Sequence, residues 1–490
     1  MMKARQYDRR LLTRGIQPNI YSIRESNGIQ AMTIEYFHKN DPKLKADIES
    51  IVTEMRDAKE YGSILNITPV DFAGLYARFD EIRNDINMMQ MSALDELLPL
   101  VKCAEVLAQK YDVVVTNPPY MGASGMNARL SQYIKDHFPD TKADLFACFI
   151  ERGNQMAVKH GYNCMVTMQS WMFLSSFEKM REKVLQTKSI TNLMHMENMV
   201  MGIAFGTAVT VFRNDYVTGY KGTYNQIKLQ DIENDEPRVF PVLENRFAQT
   251  STDNFSKIPG SPVAYWVSSA TLKTFAYPSI GEIARPRQGL ATGCNDIFIR
   301  FWHEVNEDKV NYMAESLDGA VKSQKKWFPY NKGGDYRRWY GNNEYLVNWE
   351  RDGFEIRHFV DEKGKLRSRP QNTQYYFHRC ISWSLISSGR IAFRYKPDGH
   401  IFDVSGMSCF TEANLLYLLG LCNTPVVDAF LSIFSPTINF QAGDIANIPV
   451  AIEVDKIEDV EKVVSENIQV SKKDWDSYET SWGFKRNPLV

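Results

Sequence analysis

Four consecutive residues, Asn117-Pro118-Pro119-Tyr120, place an amide, two rigid rings and an aromatic hydroxyl directly after the β-branched run Val113-Val114-Val115. The run reads as a buried parallel strand. Neither proline can donate to a sheet ladder, so the strand must stop there in a stiff turn. Open α/β sheets bind their ligands at the carboxyl ends of strands. An amide held there suits a planar NH2 group. The Asn117 amide oxygen and the Pro118 carbonyl could accept both hydrogens of an exocyclic amine and turn its lone pair outward. Tyr120 could stack on the ring that carries the amine. Phe205, next to Gly206 and ahead of another strand, could stack on the opposite face. The readings without chemistry are a Pro-Pro turn after a core strand and a core aromatic beside a turn.

The elements that must position these residues can be read on both sides of the turn. Residues 1–110 are mostly helical in pattern. Asp41-Pro42 reads as an N-cap and first-turn proline of a helix reaching Tyr61 and closed by Gly62; further helices are expected from Pro69 to Asn87 and from Ser92 to Lys110. After the turn, Met121–Gly125 is a flexible loop. A helix from Lys142 to His160 with Thr141 as N-cap comes next, then a strand over Tyr162–Met168. Ser175 and Glu178 form a capping box for a helix ending near Thr187, and Ile190–Met196 and Ala208–Arg213 read as strands. This alternation is that of a doubly wound α/β sheet.

Composition excludes several classes. The 490 residues are 44% hydrophobic and 24% charged with a net charge of −2, as in ordinary globular proteins. No apolar run of membrane-spanning length or signal-peptide core is present. The seven cysteines are scattered with no CxxC pair, which argues against a zinc site or a disulfide framework and fits a reducing cytoplasm. No metal is expected. From about Tyr220 the pattern becomes short, irregular and rich in aromatics and glycine. The run KKWFPYNKGGDYRR, residues 325–338, interleaves cations and aromatics as a phosphate-gripping, base-contacting surface would. Its candidate DNA-binding residues are Lys325, Lys326, Trp327, Lys332, Arg337 and Arg338, with further positive charge from Arg285, Arg287, Arg367, Arg369, Arg390, Arg394 and Lys396. A solvated loop is the alternative for any one of them. The apolar stretch Leu415–Leu421 reads as a helix, residues 439–444 as a turn, and residues 451–490 as a charged, helix-prone tail ending in an exposed WGFKRNPLV.

With these residues in view, the chain resembles the PglX-type adenine-specific DNA methyltransferases of bacteriophage exclusion (BREX) systems. It is also similar to the fused type II restriction–modification enzymes. The likeness rests on VVVTNPPYMG (113–122), TKADLFACFIERG (141–153), QSWMFLSSFEKMRE (169–182), FGTAV (205–209), PYNKGGDYRRWYGN (329–342), NFQAGDIANIPV (439–450) and DWDSYETSWGF (474–484). The resemblance implies an α/β fold. A helical segment (1–110) would precede a partial class I, Rossmann-like methyltransferase sheet with its catalytic core at 111–219. A mixed α+β target-recognition domain (220–450) and a helical tail (451–490) would complete the chain.

It implies N6 methylation of a flipped adenine in double-stranded DNA by S-adenosylmethionine, without a covalent enzyme intermediate. Asn117, Pro118, Pro119 and Tyr120 would be the catalytic motif and Phe205 the base-stacking residue. The family's glycine-rich cofactor loop does not precede Asn117, and MMKARQYDRR resembles the segment after the second strand in longer relatives. The chain is therefore expected to be truncated at both ends. It would depend on an upstream polypeptide for its cofactor half, or on other phage-defence subunits, and would expose a sheet edge and an apolar face. No membrane partner is expected. The competing readings are a non-catalytic DNA-recognition remnant or subunit and, more distantly, a protein-glutamine methyltransferase. No nuclease motif is evident.

Overall fold

Helix boundaries in the N-terminal part depend on which side chains reach the free N–H groups. In the computed structural model, which describes residues 18–486 apart from 86, 235, 244, 245, 388, 436 and 437, Asp41 caps helix α2 (Pro42–Glu54). It accepts from the N–H groups of Lys43 and Leu44 at 2.8 and 3.0 Å. Helix α1 (Ala31–His38) precedes it; α3 (Phe72–Ile82) is capped by Asp71, and α4 is Leu98–Ala108. The helices are shorter than the periodicity suggests, because Asp71 rather than Pro69 supplies the cap and a separate short helix, Ala58–Tyr61, ends at Gly62. Their apolar faces bury Phe37, Ile48, Ile51, Leu75, Phe79, Leu100 and Leu107 in one core. The expected start at MMKARQYDRR lies outside the described residues.

The chain divides into two compact units, residues 1–171 with 179–252, and residues 172–178 with 253–490. In the first unit the helical layer leads into a six-stranded mixed sheet. Its strands are β1 (Tyr111–Thr116), β2 (Ala157–Met168), β3 (Ser189–Met196), β4 (Thr207–Arg213), β5 (Lys221–Ile227) and β6 (Phe247–Ser251), in the order β1-β2-β4-β3-β5-β6. β1 and β2 are parallel, β4 runs antiparallel to β2 and β3, and β3 is parallel to β5. The sheet therefore continues past residue 219, where a boundary was expected. β5 and β6 find backbone partners beside β3, so the first unit closes only near Thr252.

Helices α5 (Ala128–His137) and α6 (Leu145–Met156) connect β1 to β2, and α7 (Glu178–Thr187) connects β2 to β3. The α6 start differs from the expected Thr141 cap. Asp144 is the N-cap, accepting from Phe146 N–H at 3.2 Å, whereas the buried Thr141 hydroxyl donates to Glu151 at 3.0 Å. Helix α6 then ends at Met156, and β2 begins five residues earlier than its apolar pattern indicates. Gly153 lets α6 lie directly on the sheet, because a Cβ there would strike the Asn163 and Met165 side chains. Buried Arg152 ties α6 back to the helical layer through Asn66 at 2.9 Å and the Leu107 carbonyl at 2.6 Å.

The two faces of this sheet differ sharply. Asn163, Met165, Thr167, Leu193, His195, Ala208, Thr210 and Phe212 are buried. On the opposite face the register aligns Val113 with Tyr162, Val115 with Cys164, Cys164 with Val211, and Val166 with Val209. There Val113 is 55% and Val115 70% exposed, and Cys164, Val166, Val209 and Val211 are only half-buried. The expected parallel pairing of β1 is present, but its expected burial is not. β1 is the edge strand, and its valines on that face stay open among the described residues.

The second unit holds two four-stranded sheets. Its strands are β7 (Arg285–Arg287), β8 (Ile299–Phe301), β9 (Trp327–Asn331), β10 (Tyr345–Asn348), β11 (Cys380–Ser384), β12 (Arg394–Lys396), β13 (Ile401–Phe402) and β14 (Gly406–Phe410). One sheet has the order β8-β10-β9-β13 and the other β12-β11-β14-β7. Helices α8 (Leu415–Cys422), α9 (Pro425–Phe434) and α10 (Ile457–Trp475) pack with the second sheet around Trp383, Phe393, Leu419 and Phe430. The tail is thus part of a core rather than a separate charged helix: Val464 is buried against Gly420, and Trp482 packs on Tyr312. Residues 487–490 of the tail lie outside the described residues. No single helix among the described residues is long and apolar enough to cross a membrane.

Candidate functional site

At the carboxyl end of β1 the turn presents Asn117 and Pro119 exposed, Pro118 buried and Tyr120 half-buried. The Tyr120 hydroxyl lies 3.1 Å from both Asn117 Oδ1 and the Val166 carbonyl of β2, so its single proton bridges the turn to the sheet. Burial raises its pKa, which keeps it a neutral donor. The Tyr120 ring is held edge-on between two others, Phe146 of α6 at 6.2 Å and 87° and Phe205 at 5.7 Å and 71°. The structure therefore brings Phe205 to the turn. The two rings meet edge to face, so a planar base entering between them must first move Phe205, which is 36% exposed, or Tyr120.

Asp144 fixes the chain leaving the turn. Its carboxylate accepts from Met121 N–H at 3.0 Å while capping α6, and Leu145 N–H donates to the Met121 carbonyl at 3.0 Å. Burial raises this carboxyl above its usual range, although the hydrogen bonds it accepts oppose the shift. The loop expected to be flexible after Tyr120 is thus pinned at Met121 and Ala123, whose N–H donates to the Ala143 carbonyl at 3.2 Å. Only a tertiary partner distinguishes Asp144 from Thr141, and no local signal names that partner.

A further pair escaped the sequence reading. Gln169, at the end of β2, donates its backbone N–H to the Gly206 carbonyl at 3.0 Å, and its side-chain Oε1 contacts Nε2 of the buried His195. A Cβ at Gly206 would collide with the Gln169 carboxamide, so the Phe205-Gly206 step is shaped around it. Burial pushes the His195 pKa down to about 4, so the ring is neutral and Nε2–H can donate to Gln169. A pKa depressed on folding leaves stability intact above about 6.5 and removes it as pH falls toward 4. Over that window the first unit is expected to lose about 2–3 kcal/mol through this group. His195→Gln should flatten the pH dependence of melting between these limits, and an unchanged profile would remove His195 as its source.

The basic-aromatic run is mostly structural. Trp327 is buried in β9 with its ring 5.9 Å from the Lys326 ammonium, so it offers no face to a base. Lys326 lies 3.9 Å from Glu350 and Glu355, and Lys325 binds the Asp308 carbonyl. Lys332 stands 3.6 Å from buried Asp403, which also accepts from Tyr330 at 2.5 Å. Arg337 pairs with Asp474 and lies 5.0 Å over Trp475, and Arg338 lies 5.7 Å over Tyr336. Arg394 and Lys396, expected to add surface charge, are buried. Arg394 donates to the Arg337 carbonyl, and Lys396 to the Gly341 and Asn342 carbonyls and to Asn343. These two cations hold the 334–343 loop from beneath, and burial keeps the Lys396 pKa well below its ordinary value. No group of three metal-ligating side chains occurs among the described residues.

Comparison with known proteins bears on the same residues. Residues 30–200 match the Eco57I restriction-modification methylase family model, a span that includes Asn117–Tyr120 and stops short of Phe205. Over all of its residues the chain is 35% identical to the adenine-specific methyltransferase BrxX of Escherichia coli O9:H4 (strain HS). It is 32% identical to the adenine-specific methyltransferase PglX of Lacticaseibacillus casei (strain Zhang). The similarity to both relatives extends along the whole chain. It covers 42% of the length of each of these two relatives. Among solved structures, the Type IIL restriction-modification enzyme MmeI in complex with DNA aligns at 12% identity with a TM-score of 0.48, over 77% of this chain and 51% of that one.

Proposed function

We propose that this chain carries the amine-binding half and the DNA-binding unit of a site-specific adenine-N6 DNA methyltransferase of the PglX type, acting in phage defence in the cytoplasm. The observation that carries the reading is the Asn117–Tyr120 turn, set at the carboxyl end of β1 with Phe205 at 5.7 Å from Tyr120. In this reading Asn117 Oδ1 and the Pro118 carbonyl accept the two N6 hydrogens of a flipped adenine. The nitrogen lone pair is thereby freed to take a methyl group. Tyr120 and Phe205 enclose the base, with Asp144 and Gln169 as positioning residues.

S-adenosylmethionine is the methyl donor that the family implies, but the residues present do not fit its binding loop. No glycine-rich loop precedes Asn117, and the edge of β1 where a neighbouring strand would lie is open among the described residues. In this reading the donor site is completed by a second region that docks on the β1 edge and the valine face beside it. Isothermal titration of S-adenosylmethionine tests this. The chain alone should give no heat of binding, and adding the remaining N-terminal region of a relative in trans should restore it. Binding by the chain alone would overturn the division of labour. The non-catalytic alternative, a DNA-recognition subunit, rests on the same missing loop. It is distinguished by salt-dependent DNA retention with no donor binding in either format.

The internal pairing of the basic run makes a separate prediction. A cation on a phosphate contributes about 0.9 to the log–log salt slope of DNA binding. Because Lys325 and Arg337 are already engaged within the protein, Lys325→Ala with Arg337→Ala should change that slope by less than about 0.5. A fall near 2 would return both residues to the DNA interface.

A further inference from the structure

Elsewhere in the second unit, long polar side chains converge without protein partners. A cavity of about 720 Å³ is walled by Gln374, His378, Arg379 and Glu412. An adjoining cavity of about 440 Å³ shares Arg379 and Glu412. None of the four side chains has a hydrogen-bond or ion-pair partner among the described residues, in contrast to every candidate cation of the 325–338 run except Arg338, which stacks on Tyr336.

The wall that carries them is built firmly. Tyr375 stacks on buried Phe410 of β14 at 4.8 Å and 24°, with the Arg287 guanidinium 5.8 Å from the Tyr375 ring. Upstream of the turn Thr373–Tyr375, the Asn372 amide donates to the Gln288 carbonyl at 2.9 Å and the Gln371 amide to the Gly289 carbonyl at 3.1 Å. Beyond it, the Arg379 N–H donates to Asp398 at 2.8 Å. The backbone around Gln374 and Arg379 is fixed, so binding would have to order the side chains alone.

The chemistry selects among ligands. The cleft lining sets the carboxylates of Glu412 and Asp398 against the guanidinium groups of Arg379 and Arg285, so it has no excess of positive charge to hold a phosphate backbone. A guanidinium, a carboxamide and a carboxylate lining one cleft match the major-groove edges of guanine, adenine and cytosine respectively. We propose that this cleft, built on Gln374, Arg379 and Glu412, is where the second unit reads base edges of duplex DNA. The proposal rests on the DNA-methyltransferase reading above and assigns its sequence recognition to residues outside the basic run.

The test is selection from a pool of duplexes with a randomised central stretch, using the full chain and its Arg379→Ala, Gln374→Ala and Glu412→Gln variants. The unsubstituted chain should enrich a defined sequence. Each variant should relax preference at one position by about fivefold or more while retaining DNA overall. An identical enriched sequence in all three variants overturns the assignment and leaves DNA binding by the chain standing. Equal weakening on every sequence also overturns it, because that marks backbone contact. Failure of the unsubstituted chain to retain any duplex at low salt overturns both this assignment and the reading beneath it.

Discussion

Asn117→Ala is expected to lower methyl transfer by about 10²–10³-fold in a complex reconstituted with the cofactor-binding region, with DNA retention unchanged. The amide is exposed at the end of β1 and makes one side-chain contact in the turn, the Tyr120 hydroxyl at 3.1 Å. That hydroxyl keeps the Val166 carbonyl as an alternative acceptor at the same distance, so removing the amide leaves Tyr120 satisfied and the turn in place. The loss then falls on the reacting amine, which no longer has both hydrogens accepted and its lone pair aimed. Incorporation of labelled methyl into duplex DNA measures the rate, and filter retention of the same duplex measures binding. Methylation within about threefold of the unsubstituted protein would show that the amide only ends a strand. A parallel loss of retention would make it a DNA contact rather than an orienting group.

What could be read before the structure was known depends on whether the decisive partner is local. Asp41 caps a helix through N–H groups two and three residues on, and the pattern Asp-Pro before an amphipathic run announces it. Strands β3 and β4 were legible to within one residue, because alternation along each already states which face is buried. The turn at 117–120 was legible because two adjacent prolines must end a strand, and the structure brings Phe205 to it, edge-on to Tyr120 rather than stacked. The rest turns on distant partners. Thr141 and Asp144 are equally good caps by type, and Asp144 prevails because Met121 N–H also needs an acceptor. Trp327 and Lys332 look like a nucleic-acid surface until a neighbouring strand buries the one and Asp403 engages the other. The three valines of β1 look like a core strand because apolar β-branched residues do not record how many neighbours a sheet will supply.

Those valines yield the sharpest contrast between the chain alone and the complex proposed above. Val115→Lys replaces a side chain that is 70% exposed on an edge strand, so the melting temperature of the isolated chain should change little, within about 0.5 kcal/mol. A lysine on an edge is even a common guard against unwanted pairing. If a second region docks there, the same ammonium must be taken out of water at the interface. Burying it costs several kcal/mol, or about 10²–10³-fold in assembly. Val211 lies two strands inward on the same face, so Val211→Lys should act in the same direction, and Lys183→Ala, on helix α7, should not. Titration of the region in trans, followed by S-adenosylmethionine binding, reads the effect directly. Unimpaired assembly by both lysine variants would mean that the exposed face is not where the second half docks. A loss confined to assembly, with melting unaltered, would tie the valine face, open among the described residues, to the docking proposed for the donor site.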